Sequence, residues 1–268
     1  MKKWLVTLTL LLACGSAWSI EKPVNAGAKQ DKPVTLWFVR HGKTLLNTLD
    51  RVQGWADSPL TDEGKQVARY LGAGLKSVPF EDFYTSDAGR QRETMQVILQ
   101  QTGRKAVRPT ELTGLREVFF GSFEGSFNKE MAAAAAAQLG LPNAQALFAG
   151  MKAGTLSVER SINAIAAADP AGQAENYQQV KARTQAALRT IIDNALREKQ
   201  SNVLTISSGS AIQIMISDLT TDPEKNKPLA NSAVVKIVYQ NGKLTVTELG
   251  NMSYIDAGKK VLAQQPQA

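Results

Sequence analysis

The stretch Thr35-Leu36-Trp37-Phe38-Val39-Arg40-His41-Gly42-Lys43-Thr44 begins as an apolar run and ends in a polar turn. The apolar part is short, partly β-branched or aromatic, and stops before a glycine, which predicts a buried central strand over residues 34–40. In open α/β sheets the functional side chains lie just beyond the carboxyl ends of such strands. Arg40 and His41 fall at that point, so this stretch predicts both the sheet and a site at its edge.

His41 is the only histidine among the 268 residues of the chain. Arg40 and the backbone N–H groups of the turn Gly42-Lys43-Thr44 would suit an anion. A histidine beside a bound phosphoryl group can attack phosphorus if one ring nitrogen is unprotonated and the other is held by a hydrogen bond. The alternative is a structural or merely exposed residue, which is the commoner fate of a lone histidine after a strand.

A longer ordered pattern surrounds His41. It comprises Arg40-His41-Gly42-Lys43-Thr44, Asn47, Gln53-Gly54-Trp55 and the run from Asp57 to Gly64. This pattern resembles the opening of the histidine phosphatase superfamily, in the branch that contains cofactor-dependent phosphoglycerate mutases and many bacterial phosphatases. The resemblance implies that His41 attacks phosphorus, that Arg40 binds the phosphate and that Asn47 supports the phosphoryl oxygens.

A second segment of the resemblance follows a strand predicted at residues 82–86. Arg90 matches an arginine that binds phosphate in the superfamily, and a bidentate guanidinium near a helix start suits that role. The alternative is that Arg90 is only a charge on the helix surface. That surface position is predicted for Arg92.

A third segment, Arg116-Glu117 through Glu124-Gly125, matches an arginine–glutamate pair followed by an aromatic residue, a glycine and a glutamate–glycine pair. Glu117 then corresponds to the general acid of the superfamily, the carboxylic acid that protonates the leaving alcohol. The alternative is that Glu117 only pairs with Arg116 or Arg90.

The pattern breaks after the strand predicted at residues 202–207. The superfamily places a second histidine there, in a Ser-His-Gly sequence, whereas this chain has Ser207-Ser208-Gly209. Ser208 would offer a neutral hydroxyl to the phosphoryl group, beside Gly209. Loss of a preorganised donor costs on the order of a hundred- to a thousandfold in rate.

Two functions therefore stay open from the sequence. One is a phosphatase, impaired by Ser208, and the other is a non-catalytic pseudoenzyme that binds phosphorylated ligands. A mutase is disfavoured because its glycolytic substrates are cytoplasmic and this chain has the features of an exported protein.

The order of elements predicts a three-layer α/β/α fold, with a mostly parallel central sheet and helices on both faces. The domain is expected to cover residues 34–256, with a flexible tail at 257–268. Other predicted features are Thr61 as a helix N-cap, a short edge strand at 107–109, a long amphipathic helix at 176–198 and a hairpin turn at Asn241-Gly242.

Residues 126–175 are expected to form a helical insertion over the site. Six consecutive alanines, residues 132–137, strongly favour a helix but supply little core volume. The insertion would cover the site as a lid does, or would serve only for packing.

Residues 1–19 have the pattern of an export signal peptide. Lys2 and Lys3 precede a short apolar run, and Ala17-Trp18-Ser19 supplies small residues for cleavage. The alternative is a lipoprotein box that ends at Cys14, which would then carry a lipid anchor. Both predict an exported protein, periplasmic or secreted, and residues 20–33 are a predicted polar linker. The apolar run is too short to predict a membrane span.

The composition of the chain limits the kinds of partner that it is expected to bind. The formal net charge is +7, but the lysines and arginines are scattered, so no nucleic-acid-binding stripe is predicted. One histidine and one cysteine cannot form a metal-ligand cluster of the usual kind, so neither a metal nor a cofactor is expected. The expected partner is a small phosphorylated substrate, and the oligomeric state stays open.

Overall fold

A computed structural model describes residues 32–264. The predicted signal peptide, Cys14, the linker up to residue 31 and the last four residues lie outside the described residues. No helix in the described range is long and apolar enough to cross a bilayer.

A six-stranded sheet forms the centre of the fold. Its strands are β1 (Val34–Arg40), β2 (Asp82–Thr85), β3 (Thr110–Glu111), β4 (Asn202–Ser207), β5 (Val234–Gln240) and β6 (Lys243–Asn251). They lie in the order β3-β2-β4-β1-β5-β6. Strands β1 to β4 are parallel to one another, whereas β5 is antiparallel to both β1 and β6.

Nine α-helices accompany this sheet within residues 32–264. They are α1 (Leu45–Thr48), α2 (Asp62–Gly74), α3 (Gly89–Gln101), α4 (Asn128–Gln138), α5 (Ala144–Ala153), α6 (Val158–Ala168), α7 (Tyr177–Arg197), α8 (Gly209–Met215) and α9 (Ser253–Ala263).

Alternate residues of β1 pack into two different cores. Leu36 and Phe38 are fully buried against α7 and α8. Trp37 and Val39 face the opposite layer, formed by α2, α3 and α9. Because successive strand residues point to opposite faces, one uniformly apolar strand can hold both helical layers. The predicted three-layer α/β/α fold with a mostly parallel sheet is confirmed.

Several local predictions are also confirmed. Thr61 caps α2 by accepting a hydrogen bond from the Gly64 N–H at 3.0 Å. Helix α7 covers nearly the whole predicted amphipathic segment. Asn241 and Gly242 both have positive φ, as a two-residue hairpin turn of type I′ requires. The edge strand predicted at 107–109 is wrong, because the pairing begins only at Thr110, after Pro109, which has no N–H for the ladder.

The prediction of a flexible tail is wrong for residues 257–263. Helix α9 continues to Ala263 and packs against α2. A Cβ at Gly258 would lie 1.7 Å from the Tyr70 carbonyl oxygen, and a Cβ at Gly74 would lie 1.9 Å from that of Tyr254. Two glycines thus allow direct contact between the two helix backbones, which the polar sequence of this segment does not reveal.

The predicted helical insertion comprises α4, α5 and α6, and these helices have an apolar core of their own. Its contributors from the insertion are Ala132, Ala135, Ala136, Ala144, Leu147, Leu156, Val158, Ile162, Ala164 and Ile165. The alanines of α4 permit close helix packing, and the cluster joins Tyr177 and Val180 of α7. The insertion is therefore packed onto the sheet domain.

Candidate active site

The pairing of β1 with β4 creates the site. Arg40 lies opposite Ser207 in the parallel register, and the His41 N–H donates to the Ser207 carbonyl oxygen at 3.0 Å. Residues that follow the two strands, His41 and Ser208, therefore emerge side by side at the carboxyl edge of the sheet, 167 positions apart in the sequence.

His41 is held as a neutral imidazole with one free nitrogen. His41 is 3% exposed, and its Nδ1 lies 2.8 Å from the Gly42 carbonyl oxygen. A carbonyl can only accept, so Nδ1 carries the proton and Nε2 keeps its lone pair. Burial, followed by the positive charges of Arg90 and Arg40, holds the pKa of His41 well below its ordinary value, although the Gly42 bond opposes this shift. These are the properties of a nucleophile at neutral pH.

Arg40 lies next to the nucleophile, and only its Nη1 has a hydrogen-bond partner among the described residues. Its Nη1 donates to the Leu229 carbonyl oxygen, while its buried Nε has no hydrogen-bond partner. Burial lowers the pKa of the guanidinium from its very high ordinary value. A Cβ at Gly209 would come within 3.4 Å of the Arg40 Nε, so the absence of a side chain there leaves the start of α8 open beside this group.

Arg90 is fully buried, which excludes the alternative that it is only a charge on the helix surface. Its Nη1 donates to the Ala56 carbonyl and to Asp57, and its Nη2 donates to the Gly54 carbonyl and more weakly to Ser208. Only its Nε is unpartnered. Arg90 thus brings positive charge to the site, but most of its donors already bind the protein. Arg92 pairs with Glu111 at the surface, as predicted.

Glu117 is held by the start of α8 and pairs with neither Arg116 nor Arg90. Its carboxyl oxygens accept hydrogen bonds from the backbone N–H groups of Ser210 at 3.1 Å, and of Ala211 and Val118 at 2.9 Å. The side chain is 8% exposed and lines the cavity that contains His41. The expected alternative, an ion pair with a neighbouring arginine, is therefore wrong.

Asn47 also lines this cavity. Its Oδ1 accepts from the Thr44 N–H and from the Asn231 amide, each at 3.3 Å, which leaves its Nδ2 as a donor without a partner among the described residues. Asn231 was not identified from the sequence, because it lies in the loop before β5, far from every matched segment.

Two of the three backbone N–H groups in the turn after His41 are not available to an anion. The Gly42 N–H donates to Thr94 Oγ1 at 3.0 Å, and the Thr44 N–H is used by Asn47. Helix α3 supplies Thr94, so the capture of this N–H depends on tertiary packing. The prediction that backbone N–H groups of this turn bind the anion is wrong for these two groups.

Ser208 is fully buried and lies behind the cavity wall. Its Oγ accepts a hydrogen bond from the Gln91 Nε2 at 2.9 Å and lies 3.5 Å from the Arg90 Nη2. Gln91 is itself fully buried and also bonds the Ser86 N–H and the Leu115 carbonyl. The sequence analysis missed Gln91, which looks like an ordinary polar helix residue.

Two further carboxylates order the segments that carry the site. Glu124 accepts hydrogen bonds from the N–H groups of Gly54, Trp55, Ala56 and Phe120, at 2.8–3.1 Å. It therefore holds the loop whose carbonyl oxygens bind Arg90. Glu175 forms a bidentate pair with Arg183, which donates to the carbonyl oxygens of Gly114, Arg116 and Glu117.

A cavity of about 320 Å³ lies in front of His41. Of the predicted site residues, it is lined by Arg40, His41, Asn47, Glu117 and Gly209, whereas Arg90 and Ser208 are buried behind it. The described residues contain no group of three or more potential metal-binding side chains.

Comparison with known proteins gives a consistent result. The model of the histidine phosphatase superfamily (branch 1) matches residues 36–252. The chain is 27% identical over 230 residues to "Probable phosphoglycerate mutase GpmB" of Salmonella choleraesuis, covering 83% of this chain and 95% of that protein. A 2,3-bisphosphoglycerate-dependent phosphoglycerate mutase of Gloeobacter violaceus is 36% identical over 98 residues, which is 37% of this chain and only 45% of that protein.

Among solved structures, the chain is similar to phosphoglycerate mutase from Bacillus anthracis str. Sterne, with a TM-score of 0.80 and 38% identity. The alignment covers 85% of this chain and 98% of that one.

Proposed function

Because this chain belongs to the histidine phosphatase superfamily, we propose that it hydrolyses phosphate monoesters through a phosphohistidine formed on His41. The observation that carries the proposal is the state of His41. It is a buried neutral imidazole with Nδ1 bound to the Gly42 carbonyl, which leaves Nε2 free beside the charges of Arg40 and Arg90.

In the first step, His41 Nε2 attacks phosphorus as the bond from phosphorus to the ester oxygen breaks. Glu117 gives its proton to that oxygen, so the product leaves as a neutral alcohol. Arg40, whose Nε and Nη2 have no hydrogen-bond partner among the described residues, and the Asn47 amide nitrogen line the cavity as donors for the phosphoryl oxygens, and Arg90 adds positive charge from behind.

In the second step, Glu117 takes a proton from water as the water oxygen bonds to phosphorus. The bond from phosphorus to Nε2 breaks, inorganic phosphate leaves, and both His41 and Glu117 return to their starting states. Three backbone N–H groups orient the Glu117 carboxyl for both proton transfers.

A second candidate function is binding of phosphorylated ligands without turnover. It is favoured by Ser208, which we take to replace the second catalytic histidine of the superfamily, and by the use of four Arg90 hydrogen bonds within the protein. Both features reduce the number of donors available to a transition state.

Phosphoglycerate mutase activity, which the names of the relatives suggest, is the least favoured candidate. The glycolytic substrates of such a mutase are cytoplasmic, whereas residues 1–19 have the pattern of an export signal peptide. We also propose that the chain is exported, periplasmic or secreted, with lipid attachment at Cys14 as the alternative. Cell fractionation of the unmodified chain and of Cys14→Ser distinguishes these two forms.

The deciding experiment is phosphate release from p-nitrophenyl phosphate near pH 6, with the unmodified chain and His41→Ala. Turnover that His41→Ala abolishes, together with acid-labile labelling of the unmodified chain by radioactive phosphate, would support the phosphatase. Labelling that survives His41→Ala would contradict the mechanism. Binding measured by isothermal titration without phosphate release would favour the pseudoenzyme.

A further inference from the structure

The loop before β5 contacts three residues that we place at the phosphate. Its Leu229 carbonyl oxygen accepts a hydrogen bond from Arg40 Nη1. Its Asn231 side-chain nitrogen donates to the His41 carbonyl oxygen at 3.1 Å and to Asn47 Oδ1 at 3.3 Å. These partners precede the loop residues by 184 to 190 positions in the sequence, so the contacts exist only in the folded chain.

The backbone of this loop is held in an unfavourable conformation. Ser232 has a φ of +63°, in the left-handed region that a residue with a Cβ rarely adopts. This conformation places the Ser232 nitrogen 3.0 Å from the Arg40 carbonyl oxygen and 3.3 Å from that of His41. The Ser232 hydroxyl is buried without a hydrogen-bond partner among the described residues, so the side chain does not offset the strain. Strain of this kind persists only where the surrounding structure holds it, which indicates that the loop is a fixed part of the site.

The hydrogen-bond partners of Asn231 decide which end of its amide faces the site. The His41 carbonyl oxygen can only accept, so the atom next to it is the Asn231 nitrogen. The Asn47 atom that the same nitrogen meets is an oxygen, because it also accepts from the Thr44 N–H. The Asn47 nitrogen is therefore the end of that amide that remains for the cavity, which Asn47 lines.

Asn47 needs a contact from outside its own helix to hold this orientation. Helix α1 has only four residues, and none of them is buried. A single helical turn has little stability of its own. Within the helix and its cap, Asn47 Oδ1 is held only by the Thr44 N–H at 3.3 Å, which is a long hydrogen bond. The contact from Asn231 is the second of the two hydrogen bonds that this oxygen accepts among the described residues.

We propose that Asn231 is a positioning residue, which directs the Asn47 amide nitrogen toward the phosphoryl group and fixes the backbone of His41. Asn231 does not line the cavity, so it acts through these two residues and not by contact with the substrate. For turnover the inference rests on the proposed function, whereas its effect on phosphate binding is measured separately.

A double-mutant cycle of Asn231→Ala and Asn47→Ala tests the proposal in the hydrolysis of p-nitrophenyl phosphate. We expect Asn231→Ala to lower kcat/KM about tenfold, because a hydrogen bond to the phosphoryl group is lost. In the Asn47→Ala background the same substitution should cost about threefold or less, because the amide that it positions is absent. Equal losses in the two backgrounds, or no loss in either, would overturn the proposal.

Isothermal titration with inorganic phosphate repeats the cycle without turnover. If the chain binds phosphate but hydrolyses no ester, the phosphatase is refuted, and a coupled cycle in Kd still supports the positioning role. If the chain hydrolyses the ester and both cycles are additive, the phosphatase is supported and the positioning role is refuted. Absence of both phosphate binding and turnover would overturn both proposals.

Asn231→Asp separates loss of the donor from loss of the side-chain shape. The carboxylate keeps the outline of the amide but presents an oxygen to the two acceptors, the His41 carbonyl oxygen and Asn47 Oδ1. We expect kcat/KM to fall at least as far as in Asn231→Ala. Activity close to that of the unmodified chain would contradict the proposal, since a donor at this position would then be unnecessary.

Asn194→Ala is the matched control. Asn194 is half-buried like Asn231, and its Nδ2 donates to the Tyr84 hydroxyl at 3.0 Å, but it does not line the cavity or contact a residue that does. This variant should leave kcat/KM and the Kd for phosphate within about twofold of the unmodified values. Thermal melts of both variants show whether the assay temperature lies below unfolding. Losses in Asn194→Ala equal to those in Asn231→Ala would assign Asn231 a purely structural role and overturn the proposal.

Discussion

The side-chain amide of Gln91 donates a hydrogen bond to Ser208 Oγ over 2.9 Å, and both side chains are fully buried. Gln91 approaches Ser208 from α3, and the buried Arg90 lies on the same side. An imidazole at position 208 would therefore meet the Gln91 amide. A larger side chain in the direction of the Ser208 hydroxyl requires an adjustment of Gln91.

Ser208→His alone is expected to be a poor repair. Overpacking should lower the free energy of unfolding by about 1–3 kcal/mol, with little gain in activity. The double variant Ser208→His with Gln91→Ala provides space for the ring and should raise phosphatase activity at least tenfold above that of the unmodified chain. Steady-state assays and thermal melts of both variants check this.

Gln91→Ala alone serves as the control for that experiment, since it creates the space without the second histidine. It should not raise activity. If Ser208→His alone restores as much activity as the double variant, Gln91 does not limit the space at this position.

The single histidine makes the state of the nucleophile directly measurable by proton NMR. Its pKa is held low by burial and by Arg90 and Arg40, so its Hε1 resonance should stay at the neutral position between about pH 8 and 6. In urea the same resonance should titrate with an ordinary midpoint near 6.5. A midpoint near 6.5 in the folded protein would contradict the assigned neutral state.

The same shift predicts how stability depends on pH. The unfolded chain binds a proton at His41 below about pH 6.5 while the folded chain does not, so stability is lost as the pH falls. The loss has an upper limit of about 1.4 kcal/mol per pH unit. Chemical denaturation at pH 7, 6 and 5 should give a steeper decline for the unmodified chain than for His41→Asn, which lacks the group.

Glu117→Gln tests general acid catalysis by its dependence on the leaving group. The substitution removes the proton that an alkoxide needs, and it also places an amide nitrogen against a backbone N–H donor, which slows both esters alike. The rate of alkyl phosphate hydrolysis should fall about 100-fold or more, whereas that of p-nitrophenyl phosphate, whose leaving group is a weak base, should fall much less. Equal losses for both esters would assign Glu117 a structural role.

Glu124→Gln is expected to act through position rather than chemistry. Its carboxylate accepts four backbone N–H groups, and an amide nitrogen in place of one oxygen would face donors. The loop that binds Arg90 should shift, so we expect a raised KM and about 1–3 kcal/mol of lost stability. Glu198→Gln, an exposed change on the surface, is the control and should alter neither quantity.

Gly258→Ala probes the contact between α2 and α9. The added methyl group would strike the Tyr70 carbonyl oxygen, and separating the helices should cost about 1–3 kcal/mol. Asp256→Ala, at an exposed position of the same helix, should have a much smaller effect. Similar unfolding midpoints for the two variants would show that α9 contributes little to stability.

Local chemistry explains what could be predicted from the sequence. The apolar composition of Val34–Arg40, the cap at Thr61, the period of α7 and the Asn241-Gly242 turn each depend on neighbouring residues, and all are confirmed. The ordered motif around His41 identified the family, and Glu117 and Asn47 line the same cavity as the histidine.

The remaining features depend on which distant segments meet, and only the tertiary structure decided them. Thr94 removes the Gly42 N–H from the expected anion site, and loop carbonyls use most donors of Arg90. Gln91 closes the space beside Ser208. Each of these is a contact across more than thirty residues of sequence, and no local propensity encodes such a contact. The sequence determined the candidate nucleophile and the order of the elements, whereas packing determined which donors remain available to a phosphate.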